Sequence, residues 1–108
     1  MVAVIAALIH LAGMKDTPGP CMDIATPVEK QIIWVESKGW PTADNPKSTA
    51  FGCGQLLVRQ RKAYAPLCDT HHATVDPEDQ MCMFRMYVED RYDTPERAWA
   101  FWRKRGWY

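Results

Sequence analysis

The stretch TPVEKQIIWVESKGW, residues 26–40, decides the fold. Thr26 precedes Pro27, so a hydroxyl that can accept from an orphan backbone N–H stands just before a residue whose fixed φ suits the first helical position. Glu29 falls three residues after Thr26, the spacing of a reciprocal capping box. Val28, Ile32 and Val35 then recur at helical period, and Gly39, Trp40 and Pro41 stop the helix. A helix over 26–39 is therefore expected.

The same opening chemistry recurs at Asp76 (DPED) and Thr94 (TPER), where a capping residue, a proline and then acids suit the positive end of a helix dipole. Behind these starts, Met81, Phe84 and Val88 form one stripe and Ala98, Phe101 and Trp102 another, which predicts helices through 76–108. QLLVRQRKAYA, from Gln55, reads as a short helix, and the polar, turn-rich segments 40–53 and 65–75 read as loops. No stretch keeps strand alternation, so the expected class is all-α.

With 108 residues, 47% of them apolar, the chain can bury one core, and a single domain over 1–108 is expected. Thirteen basic residues balance thirteen acidic ones, so overall charge gives no footprint for a polyanion. Arg59, Arg61, Lys62, Arg103, Lys104 and Arg105 near Trp and Tyr offer a rival nucleic-acid reading. In a neutral chain such short runs read as a solvated face, so no nucleic-acid partner is expected.

The opening MVAVIAALIHLAG has the length of a signal-peptide core, is too short to span a bilayer, and lacks a basic leader and a clear cleavage site. It reads as a retained core helix over 1–13, ended by Gly13, and no membrane span is expected. The four cysteines, Cys21, Cys53, Cys68 and Cys82, contain no CxxC pair. Cys68, His71, His72 and Cys82 match no zinc-finger spacing, so buried thiols, or one bridge joining Cys68 to Cys82, is favoured over a metal set.

Glu36 is the candidate catalyst. It sits one turn after Ile32, at the margin of the apolar stripe and in the last turn before Gly39, where desolvation and the negative helix end both favour the protonated acid. A carboxyl kept protonated near neutral pH is what general acid catalysis requires. The returning loop STAFGCGQ brings Gly52 and Gly54, which permit close backbone approach. Asp44 is a possible second acid, although ADNP also reads as an Asx turn.

From Ile32 to Tyr108 the chain resembles the lysozyme-like domains of lytic transglycosylases, resuscitation-promoting factors and muralytic modules of phage tail and lysis proteins. The resemblance rests on ES at Glu36 and Ser37, ADNPKSTAFGCGQ ending at Gln55, DPEDQ opening the next helix, and RYDTPERAWAFWRKRGWY. It implies a small helical domain with a substrate cleft, a catalytic helix at 26–39, a cleft loop at 40–55 and C-terminal helices at 76–108. By the same resemblance Glu36 is the sole acid/base, Ser37 orients it and Gln55 lines the sugar subsites. Tyr92 stands near the reacting sugar, or packs between helices.

Cys53 replaces a residue that is usually aliphatic or Met, which suits a small buried side chain. Many transglycosylases carry Tyr-Asn where this chain has Phe101 and Trp102, so a polar amide is missing.

The expected function is cleavage of the MurNAc-GlcNAc β-1,4 bond, by transglycosylation or hydrolysis, without cofactor or metal. With one carboxylate, the substrate's own N-acetyl carbonyl is the natural nucleophile. The expected partners are peptidoglycan strands, with other phage tail or virion proteins beside them, and the place of action is the bacterial wall or periplasm, free or carried in a virion. The alternative is a non-catalytic peptidoglycan-binding or virion structural module, favoured by the Phe101-Trp102 pair.

Overall fold

The computed structural model describes residues 17–107. The helix expected over 1–13 lies outside the described residues. Five α-helices follow: α1 (Cys21–Ile24), α2 (Pro27–Ser37), α3 (Val58–Tyr64), α4 (Pro77–Tyr92) and α5 (Pro95–Arg105), with a 3-10 turn at Ala65–Cys68. Among the described residues there is no strand, only isolated bridges pairing Asp44 with Phe51 and Phe51 with Leu56. The described chain is all-α.

Local chemistry accounts for the helix starts. Thr26 Oγ1 accepts from Glu29 N, and Glu29 Oε1 accepts from Thr26 N at 2.9 Å, closing the capping box at α2. Thr94 accepts from Arg97 N at α5. Asp76 holds the cap position of α4, yet its side chain makes no cap bond. There Pro77 and the acids Glu78 and Asp79 supply the start signal instead.

The stop of α2 differs from expectation. Lys38, not Gly39, takes the left-handed cap position with φ 54°, and its ammonium lies over the Trp34 ring at 4.1 Å. Gly39 follows at φ 88°, where a Cβ would strike Met22 and the Gly19 backbone. That contact lets Gly19 N donate to Lys38 O and Cys21 N donate to Gly39 O, both at 2.9 Å, so α1 is sewn onto the end of α2.

The buried face of α2 also differs. Val28 and Val35 are only half-buried, whereas Glu29, Ile32, Ile33, Glu36 and Ser37 are buried, an i, i+3, i+4, i+7, i+8 stripe. Glu36 therefore occupies the middle of the buried stripe and not its margin. The α2 stripe packs chiefly on α5, which also packs on α4, while α1 bridges α2 and α4. Met81, Phe84 and Val88 of α4 and Ala98 of α5 are buried as their spacing predicts, with Phe101 and Trp102 half-buried against them.

Two disulfides complete the frame. Cys68–Cys82 forms as favoured, which takes both sulfurs out of any metal set. Cys21–Cys53 was not foreseen: Cys53 is fully buried, but as half of a bridge and not as a packing thiol. It ties α1 to the loop that returns beside α2. No helix among the described residues is long and apolar enough to cross a membrane.

Candidate active site

Glu36 has no exposed surface. Its Oε2 accepts from the indole Nε1–H of Trp102 at 2.9 Å, across the α2–α5 seam. Its Oε1 is buried and has no hydrogen-bond partner among the described residues. Burial pushes the pKa of the carboxyl up to about 8, against the pull of the Trp102 bond, which favours the anion. A buried carboxylate in this setting would leave a charged oxygen unsolvated, whereas the protonated acid keeps Oε2 as the acceptor for Trp102 and presents an O–H at Oε1.

Sequence reasoning missed Trp102 as a polar group, taking it for packing in place of a lost amide. The signal was available in principle. A buried indole N–H seeks an acceptor, and a carboxyl on a neighbouring apolar stripe is a strong one. Trp102 also stacks on Trp99, with ring centroids 5.4 Å apart and planes at 19°.

Ser37 is buried and binds backbone. Its Oγ donates to Cys53 O at 2.7 Å and accepts from Gly39 N at 3.1 Å, so its bonds fasten the loop to the end of α2. Gln55 is 1% exposed, and its Nε2 donates to Ala43 O and Gly52 O at 2.9 and 3.0 Å. Its Oε1 is a second buried acceptor without a partner among the described residues. Gln55 also holds φ 55°, an uncommon conformation for a residue with a side chain, maintained here by the surrounding bonds.

Tyr92 is half-buried at the end of α4, with its ring 5.2 Å from Phe101 and 6.2 Å from Tyr87. It accepts from Arg91 Nε at 3.3 Å. Tyr92 thus shares a packed aromatic group with the residue next to Trp102. Asp44 is exposed; the Asx turn of its segment belongs to Asn45, whose Oδ1 accepts from Lys47 N at 2.9 Å.

A residue that the sequence did not single out shapes the loop. Gln80 of α4, 5% exposed, accepts from Cys53 N at 2.7 Å and donates to Pro41 O and Thr74 O at 2.7 and 2.9 Å. A Cβ on Gly52, at φ 84°, would strike the Gln80 amide, so the close approach that Gly52 permits is to Gln80. Its sequence signal is an amide four residues before Phe84 on an apolar face.

Two cavities are prominent. One of about 250 Å³ lies between the start of α2 and the RYDTP segment, lined by Glu29, Arg85, Val88, Glu89, Asp93 and Pro95. Glu29 there is held below its usual range by Arg85: burial works against this, but the bond to Arg85 at 2.9 Å outweighs it together with the capping-box bond. The other, of about 370 Å³, is lined by Asp44, Thr49, Phe51, Val58, Arg61 and Ala73. Glu36 lines neither. Comparison with protein-family models, curated proteins and solved structures gives no match.

Proposed function

We propose that this chain is a peptidoglycan-degrading glycosidase of the lysozyme-like, transglycosylase type, with Glu36 as its single acid/base. The observation that carries the reading is the Glu36 carboxyl: fully buried, with one oxygen fixed by Trp102 and the other unpartnered among the described residues. A carboxyl whose pKa is about 8 holds its proton at neutral pH, the state a general acid needs.

In this reading Oε1 carries the proton and delivers it to the glycosidic oxygen as the bond to C1 breaks. The N-acetyl carbonyl oxygen of the same sugar closes on C1, which removes the need for a second carboxylate. Glu36, now an anion steadied by the Trp102 N–H, takes a proton from the sugar 6-hydroxyl or from water as that oxygen attacks C1. The acid is restored in either case. Because Glu36 is closed off, turnover requires an opening at the α2–α5 seam, where Trp102 is half-exposed.

Peptidoglycan strands are then the substrate, and phage tail or virion proteins are further partners in a chain acting at the bacterial wall or periplasm. Gln55 and Tyr92 serve the sugar subsites in this reading, and Ser37 sets the position of the helix end that bears the acid. The complete burial of Glu36 favours one second reading, a non-catalytic peptidoglycan-binding or virion structural module. Digesting purified peptidoglycan with the wild type and Glu36→Gln separates them: fragments from the wild type alone support the enzyme, and binding by both without fragments supports the module.

A further inference from the structure

The 370 Å³ cavity has the size of a small-molecule site and apolar walls from Phe51, Val58 and Ala73. Two opposite charges line it. Asp44 is exposed, with no hydrogen bond or ion pair to its side chain among the described residues. Arg61 is buried at 8% exposure, and it is not the solvated basic residue that the sequence suggested. Its Nε donates to Leu56 O at 3.1 Å, Nη1 to His72 O at 3.2 Å and Nη2 to Thr49 O at 2.6 Å, with the guanidinium 5.4 Å from the Phe51 ring centroid.

A guanidinium has five N–H donors, so two remain after these three bonds. Asp44 and Arg61 make no direct ion pair, yet the Asp44 charge acts on Arg61, opposing the downward push of burial on its pKa. Both charges line one largely apolar cavity without pairing directly. Such a frame is incomplete on its own: neither a simple cation nor a simple anion satisfies both sides, and an uncharged apolar ligand satisfies neither.

We infer that this cavity binds a free, zwitterionic amino acid with an aliphatic side chain. Its ammonium pairs with Asp44, its carboxylate takes the remaining N–H donors of Arg61, and its side chain lies on Phe51, Val58 and Ala73. Thr49, whose Oγ1 accepts from Val58 N at 3.1 Å, has no acceptor for its own O–H among the described residues and donates it to the ligand carboxylate. The inference is independent of Glu36 and of wall cleavage.

Titration of the 15N-labelled full chain with leucine, isoamylamine and 4-methylpentanoate tests it, because the three share a branched aliphatic end and differ in charge. Leucine is expected to shift the amides of Thr49, Phe51, Val58 and Ala73. Each singly charged analogue should bind roughly tenfold or more weakly, as should leucine to Asp44→Asn, since each loses a charged hydrogen bond. Asp44 is exposed, so the variant is expected to fold, which its amide spectrum checks directly. Equal binding of either analogue, undiminished binding by folded Asp44→Asn, or no leucine shift up to its solubility limit would overturn the proposal.

Discussion

The two oxygens of Glu36 differ in their surroundings: Oε2 accepts from Trp102, and Oε1 has no hydrogen-bond partner among the described residues. Replacing Glu36 by Gln keeps the shape and removes the acid proton. If the proposed function holds, activity on peptidoglycan should fall by about 10²- to 10⁴-fold, measured as wall turbidity clearing, while pull-down on insoluble wall persists. Stability gives a second readout. The folded-state pKa, about 8, lies above the reference 4.5, so the protonated acid stabilises the fold fully below 4.5, and this is lost as pH rises towards 8. Unfolding free energy should therefore drop by up to about 1.4 kcal/mol per pH unit inside that window. The difference in urea midpoints between wild type and Glu36→Gln across pH isolates this slope from Glu29, whose lowered pKa acts in the opposite sense at lower pH. Parallel midpoints would show that the acid is not held protonated.

Trp102→Phe separates the indole N–H from the ring. The bond favours the anion, so its loss raises the Glu36 pKa further: the alkaline limb of the pH–rate profile should move to higher pH while the maximal rate falls. An unchanged limb would mean that the indole N–H does not act on the Glu36 carboxyl.

Among the elements, α2 holds the acid through its two ends, and each end can be tested by itself. Thr26→Ala removes the capping box and should cost about 1 kcal/mol in chemical denaturation. The other end hangs on the Cys21–Cys53 bridge, which closes a separation of 32 residues against 14 for Cys68–Cys82. Chain-entropy reasoning gives about 4 and about 3 kcal/mol respectively, so the paired Cys21→Ser, Cys53→Ser variant should lose more stability than its Cys68, Cys82 counterpart. The reverse order would place the greater effect on the Cys68 loop.

The elements also show what the sequence made legible. Helix starts at Thr26 and Thr94 were readable because side chain and backbone within four residues decide them. The stripe of α4 was readable from Met81, Phe84 and Val88 because apolar spacing alone carries it. The face of α2 was not, since its buried stripe includes Glu29, Glu36 and Ser37, polar residues whose partners Arg85, Trp102 and Cys53 are distant in sequence. For the same reason the Gln80 clamp and the Cys21–Cys53 bridge were out of reach: pairing across 27 and 32 residues has no local signature. The helix-end position singles out Glu36, but the indole that holds its Oε2 depends on how α5 crosses α2.

At the scale of the molecule, the described helices wrap one core that runs from Ile32 and Ile33 through Phe84 and Val88 to Ala98, and Glu36 is buried on the same helix as Ile32 and Ile33, bonded to Trp102. Two disulfides, Cys21–Cys53 and Cys68–Cys82, fasten the loops to that core. The central claim is that this fold cleaves glycan strands through Glu36. Mass analysis of soluble products from purified peptidoglycan, incubated in parallel with wild type and Glu36→Gln at neutral pH, tests it most directly. The account predicts muropeptides with anhydro or reducing muramyl ends from the wild type and none above background from the variant. Intact wall from the wild type, or the same fragments from both proteins, would contradict it.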